Sequence, residues 1–553
     1  MCTKIVTYIL VSFILAGLIG GCAGAPTASP TIAPTASPTI APTASPTIAP
    51  TASPTNTTVP PIAEQPAFWP DTEWPVSTPE EQGIDSALIL AMLQEIQQEE
   101  LNVHSVLIIR YGYLVTEVYF PPYTQEIRHP LRSISKGVTS AMTGIAIKEG
   151  HIESVQQNVL DFYPEIAEET KDKHLRDLTI EHLLTMSAGF NTDTLPNFDG
   201  KDSSFDAVEY ILTHSNVLRK PGETFYYDSG MPHVLSAIIQ KTTGLTLEAY
   251  AQKNLFGPLG ITDFSWQADP QGITLGTSGL SLLPRDMAKL GYLYLHRGQW
   301  NGEQIVPAKW VETSTTMHIE TKGLMNAAED DGYGYYWWID SFGGYSAHGH
   351  GGQYIFVLPR LDMVVVFTGG LADPDFPTPH RLLQTYLLPA AQAVKPLADN
   401  PQAFNQLTTE IVNIQAEEPV APLPEIARQI SGKTFQVTEI ESGIWFNHFT
   451  FNFPGQDTFT YDVTWPTGTF VFTGGLDNTF YLNKYGPQEE AVYAYRGYWQ
   501  DDHTFVGEEI YDLTSEVQCV ITTYTFEGKK VFMTEDSSMG YFPTFHATGE
   551  MVE

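Results

Sequence analysis

Two serines and a lysine lie in the first stretch of the chain whose side chains suggest chemistry. The stretch HPLRSISKGVTSAMTGIAIKEG runs from His129 to Gly150, and Ser133 and Ser135 precede Lys136 within it. Apolar residues with helical spacing follow from Val138. Helix positions i and i+3 share a face, whereas adjacent positions point apart. The spacing therefore favours Ser133 over Ser135 as the partner of Lys136.

A serine hydroxyl beside a lysine amine can form a nucleophile with its base. A hydroxyl is a poor nucleophile at neutral pH and requires such a base. A buried lysine can supply it, because desolvation favours the neutral amine. A serine at a helix N-terminus can also offer its own backbone N–H to an oxyanion. The alternative interpretation is a helix-capping serine followed by a solvated lysine.

The remaining sequence excludes several classes of function. The 553-residue chain has a formal net charge of −36, which repels nucleic acid and anionic membrane surfaces. It contains no GxSxG, HExxH, P-loop or GxGxxG motif. The three cysteines, Cys2, Cys22 and Cys519, lack zinc-ligand spacing and predict neither a disulfide framework nor a structural zinc site. We therefore expect no nucleic-acid partner and no metal.

The N-terminal region is predicted to export and tether the chain. Lys4 is followed by an apolar run, and its last residues, LIGGC, resemble the lipobox of bacterial lipoproteins. We predict a signal peptide over residues 1–22 and lipidation of Cys22. The alternative is an uncleaved membrane anchor. Both interpretations place the protein outside the cytoplasm. Residues 23–66, with their PTASPTIA repeats, predict an extended linker. Contact with a membrane is expected through this anchor only.

The rest of the chain predicts two folded domains. Residues 67–395 alternate helical and strand patterns, which indicates an α/β or α+β layered domain. Residues 396–425 read as a linker rich in proline and acidic residues. Residues 426–553 contain period-two segments such as HFTFNF and TFTYDVTW, which predict a small antiparallel β-barrel or sandwich. We expect this last domain to act as a scaffold or substrate lip.

Several ordered segments of the first domain resemble one superfamily. LRSISKGVTSAMTGIAIKEGHI is similar to the SxxK helix of serine β-lactamases and penicillin-binding proteins, and LTIEHLLTMSAGF, GETFYYDSGMPHVLSAII, YGYYWW and HGHGGQYIFVLPRLDMVVVFT follow in family order. The resemblance covers roughly residues 74 to 390. It is strongest to the β-lactamase-related serine hydrolases, which include class C β-lactamases, D-aminopeptidases, family-VIII esterases and aminohexanoate-oligomer hydrolases. It implies a β-lactamase/transpeptidase-like fold with an antiparallel sheet and a helical subdomain.

The resemblance also implies roles for single residues. The family's nucleophile falls on Ser133 and its lysine on Lys136. The family's Tyr-x-Asn motif reads Tyr227-Asp228-Ser229 here, so Tyr227 would exchange a proton with Lys136 and the leaving group. Ser229 replaces an amide that bonds the substrate carbonyl, which argues against strong β-lactamase activity. The other interpretation of Tyr227 is a core tyrosine within the apolar FYY sequence.

The third family motif, Lys-Thr-Gly, is replaced by AHGHGGQ at residues 347–353. In the preferred register Ala347-His348-Gly349 matches the motif, and the His350 N–H becomes the second oxyanion donor. In the other register residues 350–352 match it. His348 and His350 would share one strand face and could bind metal. No third ligand has a recognisable spacing, so a substrate-lining or solvated pair is favoured.

Together these features predict acyl transfer through a serine ester. Ser133 would attack the carbonyl of a small ester, amide or peptide-like substrate while Lys136 and Tyr227 accept its proton. Backbone N–H groups of Ser133 and His350, with Gly349 beside them, would hold the oxyanion, and Ser229 would line the substrate site. No metal or organic cofactor is required. The alternative is a non-catalytic or slowly deacylating surface lipoprotein of the penicillin-binding or sensor type.

Overall fold

The computed structural model describes the folded part of the chain: residues 69–70, 73–198, 200–214, 217–321, 330–372, 375–393, 396–416, 421–440, 446–465, 468–476, 479–485, 491–511, 518–537 and 544–552. The predicted signal peptide, the lipidated Cys22 and the repeat linker lie outside the described residues. Within the described ranges, no helix has the length and apolarity needed to cross a bilayer.

The first domain mixes short strands with helices, as its sequence patterns predict. Its strands are β1 (Val103–Arg110), β2 (Tyr113–Tyr119), β3 (His129–Pro130), β4 (Phe264–Trp266), β5 (Leu280–Leu282), β6 (Gln299–Trp300), β7 (Glu303–Gln304), β8 (Ile319–Glu320), β9 (Asp330–Tyr333), β10 (Trp338–Asp340), β11 (Tyr345–Gly349), β12 (Gln353–Leu358) and β13 (Met363–Gly369).

The α-helices are α1 (Ser86–Gln98), α2 (Ser135–Lys148), α3 (Pro164–Glu169), α4 (Lys173–Arg176), α5 (Ile180–Leu184), α6 (Ala207–His214), α7 (Gly230–Thr243), α8 (Leu247–Ala251), α9 (Pro284–Leu295), α10 (Ala308–Ser314), α11 (Thr378–Leu382), α12 (Leu388–Ala390), α13 (Pro401–Ile414) and α14 (Glu425–Ile430). Short 3₁₀ turns occur at Glu80–Gln82, Arg132–Ile134, Val159–Phe162 and Pro359–Leu361, and π-helical turns at Gln252–Phe256 and Leu383–Leu387.

One antiparallel sheet forms the centre of this domain, in the strand order β2-β1-β13-β12-β11-β10-β9-β8. Side chains of successive strand residues point to opposite faces. Leu107 and Ile109 of β1 accordingly join the core that contains α2 and α7, whereas Val106 and Ile108 join a second core closed by α1 and α11. Burial of both faces explains why β1 is apolar along its length, and it places the sheet between two helical layers.

The segment predicted as a linker, residues 396–425, contains helix α13. Asn400 caps this helix by accepting a hydrogen bond from the backbone N–H of Ala403. Leu407 and Ile414 are buried in the core that also holds α1. The proline and acidic residues that suggested a linker therefore flank a helix that packs on the first domain.

The C-terminal strands close into a barrel. They are β14 (Lys433–Ile440), β15 (His448–Asn452), β16 (Thr458–Trp465), β17 (Gly468–Gly475), β18 (Tyr481–Tyr485), β19 (Ala491–Trp499), β20 (Thr504–Tyr511), β21 (Gln518–Glu527), β22 (Lys530–Ser537) and β23 (Phe545–Met551). Their order is β17-β16-β15-β14-β23-β22-β21-β20-β19-β18, and an added β17–β19 pairing closes the ring. Aromatic side chains including Phe435, Phe451 and Tyr524 fill its separate core. Of the two predicted architectures, the barrel is the one observed.

Candidate active site

Ser133 lies in the 3₁₀ turn Arg132–Ile134, which leads directly into α2. The Lys136 side chain is 1% exposed, and its Nζ donates to Ser133 Oγ at 2.8 Å and to the Thr277 carbonyl at 3.1 Å. The helix begins at Ser135, so the 3₁₀ turn carries Ser133 and the helix carries Lys136, and the expected pair still meets. The rival Ser135 is fully buried and donates its hydroxyl hydrogen bond to the Arg132 carbonyl at 2.7 Å.

The backbone is strained immediately before Ser133. Arg132 has φ of 52°, in the left-handed region that non-glycine residues rarely adopt. Such conformations cost on the order of 1 to 3 kcal/mol and cluster at functional sites, where the surrounding structure imposes them. This strain has no signature in the sequence.

Tyr227 faces Lys136 with its aromatic ring. Lys136 Nζ lies 4.8 Å from the ring centroid. The Tyr227 ring also stacks on the Trp338 ring, with centroids 5.9 Å apart and an interplanar angle of 19°. Trp338 in turn stacks on His348 at 5.2 Å and 8°. Trp338 was not among the predicted site residues, although it belongs to the YGYYWWID segment that matched the family order.

The two residues after Tyr227 are tied to a neighbouring loop. Asp228 is 2% exposed and accepts hydrogen bonds from the backbone N–H groups of Thr194 and Gly230 and from the Thr194 hydroxyl. Burial raises the pKa of the Asp228 carboxyl to about 6. Ser229 donates from Oγ to Asp193 Oδ2 at 2.8 Å and from its backbone N–H to Oδ1 at 3.0 Å.

This contact changes the chemical character of the Ser229 position. The Ser229 hydroxyl proton is directed to Asp193, whose carboxylate is exposed. The site therefore carries a negative charge where the family motif has a neutral amide. Asp193 was not identified from the sequence, because 36 residues separate it from Ser229.

The third motif occupies the end of β11 and the turn after it. Residues 347–349 belong to the strand, whereas Gly351 and Gly352 adopt φ of 83° and 90° in the turn to β12. A side chain on Gly349 would place its Cβ 2.3 Å from the Leu131 carbonyl oxygen. The strand therefore approaches the nucleophile turn at a distance that only glycine permits.

The exposed His350 follows Gly349 directly. Its carbonyl accepts a hydrogen bond from Gln353 Nε2 at 3.1 Å, and the same nitrogen donates to the Gly369 carbonyl at 2.6 Å. Gln353 Oε1 also accepts from the Gly369 N–H at 3.2 Å. Gln353, which the sequence analysis did not single out, thus fixes the turn to β13.

His348 and His350 do not form the pair that the sequence suggested. His350 is exposed, whereas His348 is 7% exposed and lies in a cluster with Asp340 and His380. A potential ligand atom of each cluster residue lies within 4.8 Å of the other two. No third ligand has a recognisable spacing in the sequence, because β10, β11 and α11 bring the three residues together from distant positions.

Comparisons with known proteins extend over this site. The family described as Beta-lactamase matches residues 92–383. A 6-aminohexanoate-dimer hydrolase from Paenarthrobacter ureafaciens is 27% identical over 347 residues, which is 58% of this chain and 86% of that protein. Among solved structures, a putative 6-aminohexanoate-dimer hydrolase from Bacillus anthracis has a TM-score of 0.48 and 19% identity, covering 60% of this chain and 90% of its own. An octameric penicillin-binding protein homologue from Pyrococcus abyssi has a TM-score of 0.45 and 18% identity. The match covers 83% of this chain and 99% of that one.

Proposed function

Because the chain belongs to the beta-lactamase family and is a serine hydrolase, we propose that it cleaves a small ester or amide through an acyl-enzyme on Ser133. The observation that carries the proposal is the 2.8 Å contact between Lys136 Nζ and Ser133 Oγ, made by a lysine that is 1% exposed. A general base must lie within hydrogen-bond reach of the proton that it removes. A solvated lysine after a capping serine would not be enclosed in this way.

In the proposed first step, Ser133 Oγ bonds to the substrate carbonyl carbon and its proton passes to Lys136. In the resting geometry Nζ donates to Oγ, and a neutral amine at the same distance can accept the hydroxyl proton. The Tyr227 hydroxyl then relays a proton to the leaving alcohol or amine, and the carbon–leaving group bond breaks. A water molecule attacks the resulting serine ester, which releases the acid and restores the hydroxyl.

The proposed oxyanion donors are the backbone N–H groups of Ser133 and His350. The approach of Gly349 to the Leu131 carbonyl supports this assignment, because it brings the end of β11 to the nucleophile turn. Such donors act in a preorganised, partly desolvated site. Gln353 holds the turn that carries His350 through its side-chain hydrogen bond to the His350 carbonyl.

The proposed substrate is a linear ester or amide rather than a β-lactam. Ser229 stands where the family has asparagine, and its hydroxyl proton is committed to Asp193. The Asp193 carboxylate disfavours an acyl donor with its own carboxylate at this position, because like charges repel. The relative from Paenarthrobacter ureafaciens is named 6-aminohexanoate-dimer hydrolase.

Turnover of p-nitrophenyl butyrate and labelling by a fluorophosphonate test the proposal. We expect the purified protein to show both and Ser133→Ala to show neither. Ser135→Ala is the matched control and should retain labelling, since its hydroxyl serves the helix start. Absence of labelling in the wild-type protein would overturn the proposal. Labelling followed by no turnover would favour the slowly deacylating alternative.

A further inference from the structure

A buried cluster of two histidines and one carboxylate lies behind the stack that supports Tyr227. Asp340 ends β10, His348 lies on β11 and His380 lies in α11. These three residues are 3%, 7% and 3% exposed. The proposed hydrolysis assigns no role to them, because Trp338 separates His348 from Tyr227.

The spacing of the cluster is close to that of a tetrahedral metal site. His380 Nε2 and Asp340 Oδ1 are 3.4 Å apart. Ligand atoms of tetrahedral zinc with N and O bonds of about 2.0 to 2.1 Å lie roughly 3.3 Å from one another. One potential ligand atom from each of the three residues lies within 4.8 Å of the others, so small side-chain movements would complete the geometry.

A serine hydroxyl adds a fourth polar atom to this cluster. Ser346 Oγ donates to Asp340 Oδ1 at 2.8 Å and lies 2.7 Å from His348 Nε2. Because the serine proton goes to Asp340, His348 Nε2 carries the proton that bonds to the serine oxygen. The space between the Asp340, Ser346 and His348 polar atoms is thus occupied by the protons of these two hydrogen bonds. A metal ion would replace the imidazole protons there, while the hydrogen-bonded pairs open by about half an ångström.

The surroundings of the cluster are aromatic. His348 packs against Trp338, Tyr354 and His380, with ring centroids 5.2, 4.5 and 4.8 Å apart. His380 packs against Phe356 at 4.9 Å. Such a shell excludes water and holds the imidazole rings in fixed orientations, which are the conditions that favour a preformed metal site.

We propose that Asp340, His348 and His380 bind one divalent transition-metal ion, with Zn²⁺ as the preferred ion and Ser346 as a neighbouring oxygen donor. Imidazole nitrogen and carboxylate oxygen suit Zn²⁺, and a set of three protein ligands leaves a fourth position for Ser346. The ion would join β10, β11 and α11, and it would hold the position of Trp338 from the side opposite Tyr227.

Metal retention by the purified protein, prepared without a histidine tag, tests the proposal. The protein is stripped with a chelator, incubated with Zn²⁺ and freed of excess metal by gel filtration before elemental analysis. We expect about one equivalent of zinc per chain and a higher melting temperature, since a ligand of the native state stabilises it. Co²⁺ in place of Zn²⁺ should give the visible absorption of a tetrahedral site.

His380→Gln and Asp340→Asn should lose the retained zinc, whereas His318→Gln, at an exposed histidine, should keep it. Anomalous scattering from zinc-loaded wild-type crystals locates the ion without any variant, in case a variant does not fold. Absence of retained zinc in the wild-type protein, or a zinc position away from these three residues, would overturn the proposal. Neither result bears on Ser133 labelling, so the metal site and the proposed hydrolysis fail separately.

Discussion

At the scale of single residues, Tyr227 presents two separable properties, an aromatic ring and a hydroxyl. The ring lies between Lys136 Nζ and Trp338, and packing alone would account for that position. Only the hydroxyl can transfer a proton. Removing the hydroxyl while keeping the ring therefore distinguishes a catalytic tyrosine from a core tyrosine.

We predict that Tyr227→Phe lowers kcat for p-nitrophenyl butyrate by about 10² to 10⁴-fold, the usual contribution of general acid–base catalysis. The melting temperature should stay near that of the wild-type protein, since the ring contacts remain. Tyr226→Phe is the matched control, because the Tyr226 side chain is 36% exposed. A fall in melting temperature with unchanged kcat would instead identify Tyr227 as a structural residue.

Asp228 makes a pH-dependent contribution to stability. Its pKa is about 6 in the folded protein, against a reference value of 3.8, because the carboxyl is buried. The folded state therefore binds the proton more tightly than the unfolded state, and stability falls as pH rises from about 4 to about 6. The difference between the two pKa values corresponds to about 3 kcal/mol of folding free energy between the fully protonated and the fully ionised carboxyl.

Asp228→Asn should remove this dependence, because an amide does not titrate. Its oxygen can still accept from Thr194 and Gly230, and its nitrogen can donate to the Thr194 hydroxyl. Urea unfolding of both proteins between pH 4 and 7 measures the effect. We expect the wild-type free energy of unfolding, relative to that of the variant, to fall by about 2 kcal/mol over this range. Parallel profiles would contradict the prediction.

At the scale of elements, the contact between β11 and the nucleophile turn links sheet geometry to chemistry. A Cβ on Gly349 would meet the Leu131 carbonyl oxygen, a backbone atom that cannot rotate away. We predict that Gly349→Ala destabilises the protein by about 1 to 3 kcal/mol, because overpacking displaces the strand or the turn. The same displacement should lower kcat/KM by at least about tenfold, since small misplacements of reacting groups are costly.

Gly455→Ala provides the control for this substitution. A Cβ at Gly455 would meet no atom within 4 Å. Denaturant unfolding and p-nitrophenyl butyrate kinetics of both variants complete the test. If Gly349→Ala behaves like Gly455→Ala, the close approach of β11 does not position the reacting groups.

The elements that the sequence predicted well are those formed by local patterns. The pair Ser133 and Lys136 follows from helical spacing, and the β1–β2 turn from Tyr111-Gly112, both of which have positive φ. The family match confirms the resemblance, the layered fold and the serine hydrolase class, because these depended on several ordered segments rather than one motif. The roles of the individual site residues stay predictions.

Features that depend on long-range contacts escaped the sequence analysis. Asp193 reaches Ser229 across 36 residues, and His380 reaches Asp340 across 40. No periodicity relates such positions, since the fold alone determines their distance. Helix α13 was missed for a different reason, because proline and acidic residues on both sides of it hid the buried positions Leu407 and Ile414.

At the scale of the whole molecule, we predict that Cys22 carries a lipid that tethers the enzyme to a membrane outside the cytoplasm. The protein should then sediment with membranes and begin at a Cys22 that carries the mass of the lipid, whereas Cys22→Ala should lack that mass and keep residues 1–21. Mass spectrometry of the N-terminal peptide under non-reducing conditions measures the modification. A disulfide between Cys22 and Cys519, or a Cys22 that still follows residues 1–21, would contradict the prediction.

The order of strands in the central sheet has a consequence for the folding of a chain that emerges N-terminus first. β1 pairs with β13, and the hydrogen bond between the Ser105 and Thr368 hydroxyls joins residues 263 positions apart. Pairings of such sequence separation form late, because a long loop must close before they stabilise anything. A chain that emerges N-terminus first therefore exposes Ser133 long before the strand that completes its site exists. Its reactivity is delayed until almost the whole hydrolase domain has emerged.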